Sequence, residues 1–207
     1  KIHSICLMKE ASFIEAIDCL NGRHVTVNAT NGTSALSKSR SVSDQVLFVG
    51  PGLVDLQVNG VNGIDFNNTS LSGEDLLKAT KFLLSHGVTT FFPTIITNSD
   101  ENICQLLATI NEACRQHDLL RQCIGGIHLE GPFISKEEGA RGAHYKKYVK
   151  APDWELFMRF QKAAGNRIKM ITLSPEWDNS AAFISSAVKC RVLVSIGHSL
   201  ASPEQIQ

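Results

Sequence analysis

The chain has 207 residues, 43% hydrophobic and 19% charged, and its 20 basic side chains balance 20 acidic ones. That composition can build a packed core and excludes a disordered chain, and zero net charge gives no support to a nucleic-acid or anionic-membrane surface. No apolar run is long enough to span a bilayer, and the opening KIHSICLMKE has neither the apolar core nor the small-residue cleavage site of a signal peptide.

Residues 1–45 are polar, rich in Ser, Asn and Thr and weakly patterned. A short β region is expected there, with KSRSVSDQ (38–45) as an exposed turn or linker. From residue 46 the pattern becomes regular. VLFVGPGLVDLQV (46–58) is apolar and β-branched, broken by Gly50-Pro51-Gly52. Ser72 and Asp75 form a capping signal for a helix with Leu76, Leu77, Phe82 and Leu83 on its apolar stripe, and Gly87 marks its end. GVTTFFPTIIT (87–97) reads as strand. Asn98 or Ser99 caps a second helix carrying Ile103, Leu106, Leu107 and Ile110 on one face.

CIGGIHLE (123–130) reads as the next strand. Pro152 opens a helix with Trp154, Leu156, Phe157 and Phe160, which Gly165 closes. RIKMITLS (167–174) is strand, Asp178 or Asn179 precedes a helix over 181–189, RVLVSIGHS (191–199) is strand, and Ser202-Pro203-Glu204 starts one more helix. Apolar strands alternating with helices indicate a parallel sheet buried on both faces. A doubly wound sheet and a (β/α)₈ barrel both fit this order, and no G-x-G-x-x-G supports a dinucleotide site. Five strands fall short of a closed eight-stranded barrel by roughly three units.

The six cysteines, at 6, 19, 104, 114, 123 and 190, include no C-x-x-C pair and mostly sit in apolar runs. They read as reduced core thiols of a cytosolic protein rather than a disulfide framework. The sequons at Asn28, Asn31 and Asn67 read as chance matches.

Polar residues recur where the strands end, which is where parallel α/β folds gather chemistry. Strand one ends with Asp55, Gln57 and Asn59 on one face, strand two with Thr94 and Thr97, strand three with His128 and Glu130, strand four with Ser174-Pro175-Glu176, and strand five with His198-Ser199. Taken singly, each has an ordinary reading. Asp55 can cap a turn, His128 can be a satisfied core histidine, Glu130 can be a solvated turn carboxylate, and Arg141 with His144 can lie in a solvated loop. Together they point to a polar site on one rim. Glu130 and His198 form a reasonable pair of ligands for a divalent zinc-like ion. Two ligands are fewer than a catalytic zinc takes, so at least one more is expected from outside the chain.

PGLVDLQVNG, HGVTTFFPT, GIHLEGPFIS, RGAH, ITLSPE and SIGHS occur in this order from about Val49 onward. This ordered set resembles the N-acetylglucosamine-6-phosphate deacetylases of the amidohydrolase superfamily. Most amidohydrolases carry a His-x-His where this chain has Gln57-x-Asn59. The resemblance implies an amidohydrolase-type (β/α)₈ barrel with about its first five β/α units over 49–207, preceded by the N-terminal part of a small β-sandwich domain over 1–48. It implies one divalent metal ion, zinc, held by Glu130 and His198, although iron, cobalt or manganese could occupy the same ligands. Ala143 and His144 would contact the sugar, Gln57 and Asn59 would line the site, and His128 would support Glu130.

The implied reaction is hydrolysis of N-acetylglucosamine 6-phosphate to glucosamine 6-phosphate and acetate. The implied setting is amino-sugar catabolism in the cytoplasm, by a homodimer with a small-molecule substrate and no nucleic-acid or membrane partner. The general acid/base Asp, a third metal ligand (a His) and the phosphate-binding residues are expected beyond Gln207. Two alternatives stand beside this reading. One is a truncated, non-catalytic product that binds a sugar phosphate or a partner subunit. The other is a different metal-dependent hydrolase on the same barrel, against which Gln57-x-Asn59 argues.

Overall fold

The computed structural model describes residues 12–30, 33–38 and 47–206. The chain divides into two compact units, Lys1–Val54 with Leu83–Thr89, and Asp55–Phe82 with Thr90–Gln207. In the first, β1 (Ser12–Asp18), β2 (His24–Thr30) and β3 (Thr33–Lys38) form an antiparallel meander, and β4 (Phe48–Val49) pairs parallel to β1. Its core is small: Ala16, Val25 and Val27 are buried, with Ile14 and Val49 packed against them. The linker expected at 38–45 lies almost wholly outside the described residues, as do Cys6 and the sequon at Asn31.

The remaining elements form a sheet with intervening helices. The strands are β5 (Leu53–Val58), β8 (Val88–Ile96), β9 (Ile127–Glu130), β10 (Ile168–Leu173) and β11 (Leu193–Ile196). Their spatial order is their chain order, β5-β8-β9-β10-β11. The pairs β8–β9, β9–β10 and β10–β11 are parallel. A doubly wound sheet reverses its strand order partway. This one does not, which leaves the barrel-like progression of the two architectures.

The helices are α1 (Gly73–Ser85), α2 (Asp100–Gln116), α3 (Asp118–Cys123), α4 (Trp154–Ala163), α5 (Ser180–Lys189) and α6 (Pro203–Ile206). The caps follow the sequence closely. Asp75 N–H donates to the Ser72 hydroxyl, and Ser72 N–H donates back to the Asp75 carboxylate, each at 3.2 Å. Ser99 caps α2 by accepting from Asn102 N–H at 3.2 Å. The stripe Ile103, Leu106, Leu107 and Ile110 is buried as its spacing predicts, and α2 packs against α4. Trp154 and Phe157 of α4 meet Phe183 of α5 and Phe133 in an aromatic cluster with ring centroids 5.2–5.6 Å apart.

Three local expectations are corrected and one further element appears. Residues 118–123 form α3, so the strand expected from Cys123 begins at Ile127; Cys123 closes the helix that starts at Asp118. The cap of α4 is Asp153, whose carboxylate accepts from Leu156 N–H at 3.0 Å, with Pro152 one residue before it. After β5 the chain makes a small hairpin, β6 (Gly60–Val61) and β7 (Ile64–Asp65), turned by Asn62-Gly63, both at positive φ. Finally, among the described cysteines, all free, Cys114 and Cys123 are buried but Cys19 and Cys190 are exposed.

Asn67 serves the sheet. Its amide donates to Thr94 O at 2.9 Å and accepts from Ile96 N–H at 2.8 Å, standing in for a paired strand residue beside β8. Among the described residues no helix is long and apolar enough to cross a membrane.

Phe157→Ala empties the aromatic cluster and is expected to destabilise the fold by about 3–5 kcal/mol. Ser99→Ala removes one cap bond and should cost about 1 kcal/mol. Urea denaturation of both variants checks the order and the gap.

Candidate metal centre

Strand β9 is the middle of the sheet, and all four of its residues are buried. A carboxylate there must find partners, because an unpaired buried charge is costly. Glu130 is 7% exposed. Register places it beside Ile96 of β8 and Thr172 of β10, both unable to neutralise it. Its polar partners come from further away. Gln57 of β5 donates from Nε2 to Glu130 Oε1 at 3.1 Å, and His198 Nε2 lies 3.0 Å from the same oxygen. His198 stands two residues past β11, so the two outer strands of the sheet both reach the end of the middle one.

His144 completes the cluster. It sits in the loop after β9, is 6% exposed, and its ring packs edge-on against His198 with centroids 4.4 Å apart. Glu130, His144 and His198 each bring one ligand atom, all within 4.8 Å of one another. The structure thus brings His144, expected as a sugar contact, within ligand distance of the two residues expected to hold a metal. Sequence spacing did not reveal this because the thirteen residues between Glu130 and His144 fold back on themselves. The signal available was a histidine in an otherwise charged, polar loop that the resemblance had already placed at the site.

Hydrogen-bond accounting separates the three histidines. His128 Nδ1 faces Leu56 O at 3.1 Å and Nε2 faces the Thr172 hydroxyl at 2.7 Å. A neutral ring satisfies both: Nδ1–H donates to the carbonyl and Nε2 accepts from the threonine. Burial holds His128 below the usual imidazole value, against the opposing pull of Glu130 and the Leu56 carbonyl. No ring nitrogen is left for a metal, and neither bonds Glu130. His128 ties β5 to β10 across β9.

His198 is the opposite case. Nδ1 faces Ala140 O at 3.2 Å and Nε2 faces the Glu130 carboxylate. Both partners are acceptors, so one ring proton serves only one of them, and a second proton or a cation must serve the other. His144 Nδ1 bonds the Thr97 hydroxyl at 2.9 Å. Burial, His198 and Arg141 hold His144 below the usual imidazole value, with Glu130 opposing. In both histidines Nδ1 is held from outside the cluster, the arrangement that orients a ring to ligate through Nε2. One carboxylate oxygen and two imidazoles form a donor set suited to a divalent ion such as zinc.

The backbone accommodates this convergence at Gly131, whose φ is +84° and whose missing Cβ would lie 2.1 Å from Thr97 Oγ1. The other expected residues fall nearby in sequence but differ in setting. Asn59 is exposed and its carbonyl accepts from Phe66 N–H at 3.0 Å. Ala143 is exposed. Asp55 accepts from Gln57 N–H at 3.1 Å, a turn-like contact. Arg141 donates to the carbonyls of Gly142 and His144, while its buried Nε makes no hydrogen bond.

No protein-family model matches the chain. Among curated proteins it is 34% identical over 181 residues to the N-acetylglucosamine-6-phosphate deacetylase of Bacillus subtilis (strain 168), covering 86% of this chain and 44% of that protein. It is 33% identical over 157 residues to the human protein of the same name, covering 74% of this chain and 37% of that one. The chain thus spans less than half the length of these relatives. Among solved structures, the deacetylase of Thermotoga maritima matches with TM-score 0.75 and 28% identity, over 93% of this chain and 49% of that one. That of Pasteurella multocida matches with TM-score 0.75 and 25% identity, over 94% and 53%.

Because the His128 pKa is depressed by folding, the unfolded chain binds a proton there more readily below about pH 6.5. Stability from this group is full above that pH and declines as pH falls toward the folded value. In metal-free protein, His128→Asn is expected to flatten the fall of unfolding free energy as pH drops below about 6.5, measured by urea titration at each pH. Gly131→Ala, which drives a methyl into Thr97, is expected to destabilise by about 1–3 kcal/mol, measured the same way.

Proposed function

We propose that this chain, a homologue of the N-terminal portion of N-acetylglucosamine-6-phosphate deacetylases, supplies the metal-holding part of such an enzyme. The reaction is hydrolysis of the acetamide of N-acetylglucosamine 6-phosphate to glucosamine 6-phosphate and acetate. The observation that carries the reading is the convergence of Glu130, His144 and His198 at the strand ends of a sequentially ordered parallel sheet.

In this reading Glu130 and His198 hold one divalent ion, zinc. His144 is placed either as a further donor to it or, with Ala143, as a contact to the sugar. Gln57 and Asn59 line the site. When bound, such an ion polarises an amide carbonyl and makes water a stronger acid. The chain's own residues prepare that environment. Gln57 fixes one oxygen of Glu130, Thr97 and the Ala140 carbonyl orient the two imidazoles, and His128 fixes the strand carrying Gln57 relative to β10. Proton transfer to the departing amine is assigned to an Asp in the remainder of the protein, together with the phosphate-binding residues.

The same reading assigns residues 49–207 to the first five units of a (β/α)₈ barrel and 1–48 to part of a small β-sandwich domain. It places the enzyme in the cytoplasm as a homodimer acting on a small molecule, without nucleic acid or membrane. The alternative is a non-catalytic product that binds a sugar phosphate or a partner subunit. The exposed apolar side chains of both outer strands favour a covering partner: Leu53, Val54 and Leu56 on β5, and Leu193 and Ile196 on β11.

Amine release from N-acetylglucosamine 6-phosphate with added zinc separates the two. The 207-residue chain is compared with the polypeptide of its full transcript, each with and without Glu130→Gln. Activity in the long form, falling to background with Glu130→Gln, is the expected result. Inactivity of the long form rules out the deacetylase reading.

A further inference from the structure

Glu176, in the loop after β10, is the meeting point of three serines from three successive strand ends. Ser135, five residues beyond Glu130, donates to Oε1 at 3.3 Å. Ser174, the first residue after β10, donates to Oε2, and Ser199, adjacent to His198, donates to the same oxygen at 3.3 Å. The Ser174 and Ser199 hydroxyls lie 3.1 Å apart. Ser135 and Ser174 are buried, 3% and 0% exposed. A carboxylate is the only side chain here that accepts from all three at once, since it offers two oxygens and no donor.

The serines also face outward. Ser135 Oγ accepts from Glu137 N–H at 3.1 Å, and Ser199 Oγ accepts from Ala201 N–H at 2.9 Å. The backbone repeats the link: Ser135 N–H donates to His198 O at 2.9 Å, and Ser174 N–H donates to Phe133 O at 2.9 Å. His198 needs such a hold. Its φ is +51°, in the left-handed region that a non-glycine residue enters only when its surroundings fix it.

We propose that Glu176 is a positioning residue. By clamping Ser135, Ser174 and Ser199, it holds the His198 turn against the Glu130 end of β9 and so sets the spacing between these two side chains. The proposal rests on the metal reading above for its consequence, though not for its geometry. Glu176 touches neither Glu130 nor His198 by any hydrogen bond among the described residues, so its effect on the site passes through the serines.

The test uses the polypeptide of the full transcript and the 207-residue chain, each as wild type, Glu176→Ala, Glu176→Gln and Ser199→Ala. Zn²⁺ affinity is measured by competition with a chromophoric chelator, His198 ring ¹⁵N signals by NMR in metal-free protein, and melting temperature by calorimetry. Glu176→Ala is expected to weaken Zn²⁺ binding by about 10- to 100-fold and to shift the His198 signals while those of His128 stay. Glu176→Gln, which keeps one acceptor oxygen, should recover part of the affinity. A lowered melting temperature with unchanged affinity and unchanged His198 signals overturns the proposal. If Glu176→Ala does not fold, Ser199→Ala carries the same comparison, and an unaltered affinity and His198 spectrum there overturns it equally. If the wild type binds no Zn²⁺, the metal reading falls, and the metal-free His198 signals alone decide whether Glu176 positions that ring.

Discussion

The carboxylate of Glu130 lies at the end of the middle strand of the sheet, where water reaches little of it and its register neighbours are an isoleucine and a threonine. Such a charge persists only if the fold brings it partners. That constraint organises the rim. Gln57 arrives from one outer strand and His198 from beyond the other, and the loop after β9 returns His144 to the same spot. Gly131 lets the chain turn close against Thr97, which in turn fixes the His144 ring.

Donor and acceptor counts explain why three histidines so close together differ. His128 has one acceptor and one hydroxyl as neighbours, the pattern a neutral buried imidazole satisfies, and it acts as a tie between strands. His198 has acceptors at both nitrogens, which leaves room for a cation at Nε2. His144 has its Nδ1 held and its charge disfavoured by burial and by His198.

Much of the architecture was legible in the residues because its causes are local. The stripe Ile103, Leu106, Leu107 and Ile110 has helical spacing wherever it is placed, and Ser72 with Asp75 caps its own helix. Errors came where two local signals overlapped. Helix α3 is six residues long and its last residue, Cys123, also starts the strand-like stretch before Gly125, and Asn62-Gly63 passed unnoticed as the turn of a hairpin because the strands on either side are two residues long. Glu176 looked like a strand-end carboxylate among others; its three serines lie 41, 2 and 23 residues away in sequence, and no local pattern links them.

By itself the sequence determined the alternation of strands and helices, the strand ends as the place for polar chemistry, and Glu130 with His198 as a pair suited to a cation. Periodicity, capping and residue chemistry act over a few residues, so they survive without knowledge of the fold. Only the tertiary structure decided that strand order is sequential, that His144 joins the pair, and that His128 stands aside from it. Those outcomes depend on which side chains meet across residue separations of 14 to 72, and such meetings are set by strand register, loop return and the need of each buried polar atom for a partner.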